Sequence, residues 1–135
     1  MKKLLSVLIL PIMLVGLAAC GQAGEQMEQS RMANYENITA QSAKEIMSTE
    51  SDYVILDVRT SEEFAEGHIK GAVLLPDYEI EAKAEDVLPD KDKLILVYCR
   101  SGRRSKLASE KLLKLGYTNI KEFGGIIDWP SEIVK

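Results

Sequence analysis

An apolar run, Leu94-Ile95-Leu96-Val97, leads into Tyr98-Cys99-Arg100-Ser101-Gly102-Arg103-Arg104-Ser105, and a helical pattern leads out as far as Leu115. Strand, tight loop and helix in that order are one unit of a parallel sheet, because parallel strands need a crossover between them. The unit recurs along the chain. Tyr53 to Val58 is a strand without polar alternation up to Asp57, as expected where both faces are buried. Thr60-Ser61-Glu62-Glu63 follows it with the pattern of a capping box, and Gly67 ends the short helix. Ala72 to Leu75 is a further strand, stopped by Pro76. Tyr78 to Val87 reads as a short, charged, exposed helix, and Pro89 to Asp92 as a turn.

Before these units, Thr39 is placed to cap a helix whose apolar face is Ala43, Ile46 and Met47. After them, Ser105–Leu115 puts Ala108, Leu112 and Leu115 on one face, and Gly116 fits the C-terminal cap. Asn119 to Phe123 is a short strand, with Gly124-Gly125 as a loop behind it. The expected fold is α/β, a central mainly parallel β-sheet flanked by helices.

Cys99 stands where a strand gives way to a helix. Ligands of parallel sheets bind at the carboxyl ends of strands. Arg100, Arg103, Arg104 and Lys106 lie within seven residues of it. A helix N-terminus directs unpaired N–H groups and partial positive charge at such a loop. Both features favour thiolate over thiol and should lower the pKa from the free value of ~8.5. A thiolate beside an anion pocket is a nucleophile facing its substrate.

The first residues do not belong to this globule. Met1-Lys2-Lys3 is basic, Leu4 to Leu17 is apolar but for Ser6, and Leu17-Ala18-Ala19-Cys20 closes the stretch with small residues. That is the layout of an export signal, and the stretch is short for a membrane span, which takes ~20 apolar residues. Leu17-Ala18-Ala19-Cys20 also resembles the bacterial lipobox, which implies that Cys20 becomes the first mature residue and carries lipid. Gly21 rather than Asp follows it. The expected division is a lipoprotein signal peptide over 1–19, a flexible tether over 20–35 and a folded domain over 36–135. Localisation at the cell membrane, lipid-anchored on the extracytoplasmic side, follows.

Loss of residues 1–19 removes Lys2 and Lys3, so the net charge falls from −4 to −6. An acidic chain argues against a nucleic-acid partner. With Cys20 lipidated, Cys99 is the remaining thiol of the two cysteines. No resolving cysteine remains for a CxxC mechanism, and one histidine without a Cys/His cluster argues against zinc. No cofactor or metal is expected, and nothing demands more than a monomer.

Asp57-Val58-Arg59, Glu63-Phe64, Gly67-His68-Ile69-Lys70-Gly71-Ala72, the Tyr98–Ser105 stretch and Gly124-Gly125-Ile126 occur in series. Together they resemble a single-domain rhodanese, a sulfurtransferase, over about residues 36–130. The resemblance implies that Cys99 takes a sulfane sulfur from a small anionic donor, becomes a persulfide, and passes the sulfur to a thiol or cyanide-like acceptor. It implies a substrate cradle made by Arg100, Ser101, Gly102, Arg103 and Arg104, chiefly through their backbone. Asp57 and Arg59 are expected to orient loops, Glu63 to cap its helix or pair with a cation, His68 to fix a turn, and Trp129 to pack on the core. Glu63 stands where some thiosulfate-specific relatives carry a basic residue. The loop from Cys99 to Arg104 has six residues. Related phosphatases have a seven-residue loop ending in Arg, and that place is Ser105 here, which disfavours phosphatase or arsenate-reductase chemistry. A non-catalytic module that carries persulfide or binds a partner is the other reading.

Overall fold

The computed structural model describes residues 34–135. The expectations for the signal segment 1–19, for Cys20 and for the tether up to residue 33 lie outside the described residues. Among the described residues, no helix is long and apolar enough to cross a membrane.

The chain runs β1 (Glu36–Asn37), α1 (Ala40–Thr49), β2 (Tyr53–Asp57), α2 (Ser61–Glu66), β3 (His68–Ile69) and β4 (Val73–Leu74). It continues with a 3-10 turn (Asp77–Glu79), α3 (Ile80–Val87), β5 (Leu94–Cys99), α4 (Arg103–Lys114), β6 (Ile120–Gly125), a second 3-10 turn (Ile126–Asp128) and β7 (Ile133–Val134). The main sheet has the order β1-β6-β5-β2-β4, and every pairing in it is parallel. β3 and β7 form a separate antiparallel pair.

β5 is the middle strand, and its alternation divides the core. Ile95, Val97 and Cys99 face a layer with Ala84 and Leu88 of the α3 region and Ala108 and Leu112 of α4. Leu96 and Tyr98 face the opposite layer, with Ala40 and Ala43 of α1, Ile69 and Phe123. Period-two geometry therefore puts the sulfur of Cys99 on the α4 side of the sheet.

Caps fix where the helices start. Thr39 accepts the Ser42 N–H at 3.0 Å at the head of α1. Thr60 and Glu63 make the expected reciprocal box: Thr60 Oγ1 accepts the Glu63 N–H, and Glu63 Oε2 accepts the Thr60 N–H.

Several boundaries differ from the sequence expectation. α4 starts at Arg103, not Ser105, because Gly102 takes φ +114° and turns the chain into the helix early. An L side chain rarely adopts that conformation. Gly124-Gly125 is not a loop but the end of β6, with Gly125 opposite Cys99 across an irregular register. α3 is not wholly exposed: Ile80 and Ala84 are buried. His68-Ile69 belongs to a strand pair whose partner, Ile133-Val134, carried no expectation at all.

Candidate active site

The end of β5, the turn Arg100–Gly102 and the first turn of α4 wrap around one sulfur. Cys99 Sγ accepts the Gly102 N–H at 3.0 Å and lies 3.4 Å from Ser105 Oγ. Residue 99 is 1% exposed. Burial pushes its thiol up. Hydrogen bonds from the Ser105 hydroxyl and from the N–H groups of Ser105, Gly102 and Ser101 outweigh burial and hold it below an ordinary thiol. The direction is the expected one; the hydrogen bonds of the turn lead, and the charge of Arg104 acts on the sulfur as well. The turn's own backbone and one serine lead the lowering, a nest arrangement that holds an anion by oriented dipoles.

The turn is clamped from below by β6. A Cβ on Gly125 would sit 1.8 Å from the Arg100 carbonyl oxygen and 2.2 Å from its carbon, so only glycine lets the two backbones meet. The space, not the conformation, requires glycine there, because Gly125 is extended. Gly124 takes φ +82° and donates its N–H to Glu122 Oε1 at 2.8 Å.

Arg100 and Arg103 are exposed on the turn. Arg104 is not available in the same way. Its guanidinium grips both carboxylate oxygens of Glu63, at 2.7 and 2.9 Å. Those bonds pull the Glu63 carboxyl from 4.5 down to about 2. Glu63 is thus cap and ion-pair partner at once, and it ties α2 to α4. The structure brings Cys99, Ser101, Gly102 and Arg104 together in the turn and first helical turn, while Arg100 and Arg103 stand at its rim.

Asp57 and Arg59 form a second, buried network at the neighbouring strand end. Arg59 Nη2 donates to Asp57 Oδ2 at 2.7 Å and to the Gly67 carbonyl at 2.7 Å. Tyr98 donates its hydroxyl to Asp57 Oδ2 at 2.6 Å and accepts the Ile69 N–H at 3.1 Å. Burial and the adjacent carboxylate push the Tyr98 phenol well above its ordinary value. These contacts fasten the ends of β2 and β5 to the segment Gly67–Ile69, an orienting part. His68 stacks on Phe64 with ring centroids 3.7 Å apart and holds the Phe64 carbonyl through Nδ1. Trp129 packs on Phe123, 5.8 Å between centroids.

Glu122 was not foreseen. It is 2% exposed, points to the α4 side in phase with Ile120, and meets Ser105 Oγ at 2.5 Å. One signal was available: Glu122 lies two residues from Ile120 in a short strand, in phase with that core residue and out of phase with Lys121. Beside the turn, a groove is lined by Arg59, Glu63, Arg100, Ile126, Ile127 and Ile133, among others. Among the described residues, no three His, Cys, Asp or Glu side chains gather as metal ligands would.

Comparison with known proteins agrees with this geometry. The chain is similar to the thiosulfate sulfurtransferase PspE of Escherichia coli, 37% identical over 73 residues, which is 54% of this chain and 70% of that one. It is similar to a sulfurtransferase of Allochromatium vinosum, 34% identical over 93 residues, 68% of this chain and 85% of that one. A rhodanese-related protein of Thermoplasma volcanium superimposes with a TM-score of 0.64 at 32% identity, over 74% of this chain and 98% of that one. The model of the rhodanese-like domain matches residues 39–132, a stretch that holds the sulfur turn, its clamp and its buried supports, and the chain belongs to the rhodanese-like family.

Proposed function

We propose that the protein is a sulfurtransferase that works through a Cys99 persulfide. The observation that carries this reading is the sulfur held by the N–H of Gly102 at 3.0 Å in a turn that lowers its proton affinity. The Cys99 thiolate attacks the terminal sulfur of a small donor. A bond forms between Sγ and that sulfur, the donor's sulfur–sulfur bond breaks, and the leaving group keeps the electron pair (sulfite, when thiosulfate is the donor). A thiolate or cyanide then attacks the outer sulfur, and Cys99 leaves as thiolate. No step needs a general base, because sulfur is attacked by an anion already formed. The N–H groups of the turn stabilise the negative end of the persulfide as preorganised dipoles.

Cys99 is 1% exposed, so the approach to its sulfur is narrow and suits a slender terminal sulfur. Arg100 and Arg103 supply positive charge at the rim for an anionic donor. Arg104 contributes less than its position in sequence suggests, since Glu63 neutralises it. The hydroxyl and N–H of Ser105 and the N–H groups of Gly102 and Ser101 do most of the holding around the sulfur. We propose separately a lipid anchor at Cys20, outside the cytoplasm, on a monomer without a nucleic-acid partner; the Leu17-Ala18-Ala19-Cys20 pattern and the acidic net charge support this.

Intact mass after exposure to thiosulfate or inorganic polysulfide tests the chemistry. The expected result is a gain of one sulfur, removed by cyanide or a thiol and absent in Cys99→Ser. No gain with either donor reduces the protein to a partner-binding module. The anchor is tested separately: Cys20→Ser should release the protein from the membrane fraction and abolish labelling by a radioactive fatty acid.

A further inference from the structure

Ser105 has one hydroxyl proton, and four groups approach its oxygen. They are Glu122 Oε1 at 2.5 Å, the Gly102 carbonyl at 2.9 Å, the Gly124 carbonyl at 3.3 Å and Cys99 Sγ at 3.4 Å. All of this lies inside the protein: Ser105 is fully buried and Glu122 nearly so. The serine is the only side chain within hydrogen-bonding reach of the sulfur among the described residues, and the shortest contact it makes is to the carboxylate.

We infer that Glu122 is a positioning residue for Cys99, and that its carboxylate competes with the sulfur for the single Ser105 proton. While the proton points at Glu122, the serine oxygen turns a lone pair to the sulfur and accepts the S–H, which favours the thiol. When the sulfur loses its proton, the hydroxyl swings and donates to the thiolate, and Glu122 keeps only the Gly124 N–H. The thiol proton leaves to solvent, and no bond other than S–H breaks. The reactivity of the nucleophile is thereby set by a residue 23 positions away that never touches it. A carboxylate is a stronger acceptor than a neutral amide, so Glu122 restrains Cys99.

Other charged and titratable groups around the pair are accounted for. Arg104, on α4, acts on the Cys99 charge and is itself held by Glu63 of α2. Tyr35, ahead of β1, feels Glu122 and Glu110. Asp57, Arg59 and Tyr98 form their own closed network at the end of β2, and Arg100 and Arg103 are solvated.

The test is the rate of Cys99 alkylation by iodoacetamide against pH, in the full chain, for the native protein, Glu122→Gln, Ser105→Ala and the double variant. Glutamine keeps the shape and can still accept the Gly124 N–H. Glu122→Gln should move the profile to lower pH and raise the rate at neutral pH by about two- to tenfold, the worth of one hydrogen bond. In the Ser105→Ala background, the same change should do much less, because no proton remains to compete for. A Glu122→Gln profile that superimposes on the native one overturns the inference. So does an equal shift in both backgrounds, which would mean charge acting through space alone. Should Glu122→Gln fail to fold, infrared difference spectra of the native protein across the thiol titration decide. A carboxylate band that moves in step with loss of the S–H band, and is still in Cys99→Ala, supports the competition; a still band in both refutes it. The inference rests on the sulfur-transfer reading for its purpose only. Alkylation reads the thiol without any donor, so a failure here and a failure to gain sulfur are separate results.

Discussion

Glu63→Gln removes one charge from a two-residue lock and leaves the helix cap in place. Glutamine can still accept the Thr60 N–H, since a capping box takes either residue. What is lost is the charge on two bonds from Arg104, at 2.7 and 2.9 Å. The Glu63 carboxyl lies at about 2 against an ordinary 4.5, held there chiefly by Arg104. At about 1.36 kcal/mol per pH unit, that displacement corresponds to about 3 kcal/mol. The side chains of Arg104 and Glu63 are 25% and 28% exposed, so solvent screening applies. Screening and lost side-chain freedom reduce the expected effect to about 1–2 kcal/mol.

The pH dependence has a definite sign. A carboxylate depressed on folding stabilises the native state above its unfolded pKa, and the benefit fades as pH falls through the folded one. Native protein should therefore exceed Glu63→Gln in stability at pH 7, and the gap should close between pH 4.5 and about 2. Urea unfolding of both proteins at a series of pH values measures it. Equal stability at pH 7 would refute the reasoning, and so would a gap that persists unchanged at the acid end. Freed from Glu63, Arg104 should also draw an anionic donor more strongly, seen as a lower KM for thiosulfate in the variant.

Two further perturbations probe the supports of the turn. Gly125→Ala places a methyl group 1.8 Å from the Arg100 carbonyl oxygen, so β6 and the turn must part; urea unfolding should show a loss of about 3 kcal/mol or more, with persulfide formation reduced further than stability alone explains. Tyr98→Phe removes a donor to Asp57 and an acceptor of the buried Ile69 N–H; the expected cost is about 1–3 kcal/mol, read by thermal or urea unfolding, with the alkylation rate of Cys99 little changed.

What could be read from the chain was what is contiguous in it. Strand, turn and helix around Cys99 occupy neighbouring positions, so periodicity and one glycine placed the nucleophile at a strand's carboxyl end. The capping box at Thr60 is likewise local. The partner of Glu63 was not legible, because Arg104 is 41 residues away and only the fold brings α2 against α4. The cations near Cys99 suggested electrostatic lowering of the thiol, yet side chains at the start of a helix point outward or find acids, while backbone N–H groups necessarily face the turn. Glu122 was hidden for a different reason. A charged residue in a strand is by default assigned to the solvent face, and nothing in one sequence reveals that a buried serine awaits it. The pair β3 and β7 is two residues on each side, too short for any alternation to register.

The clamp under the turn is supplied late. Glu122, Gly124 and Gly125 follow the turn and its buried Asp57–Arg59–Tyr98 network in the chain, and Cys99 is paired with Gly125. Until β6 docks beside β5, nothing beneath Arg100 fixes the turn, and the N–H groups that face the sulfur are not yet gathered. An emerging or half-folded chain thus carries an ordinary thiol, without the turn that favours its thiolate. Chemical competence arrives only with completion of the sheet, so the protein is armed by the same event that finishes it.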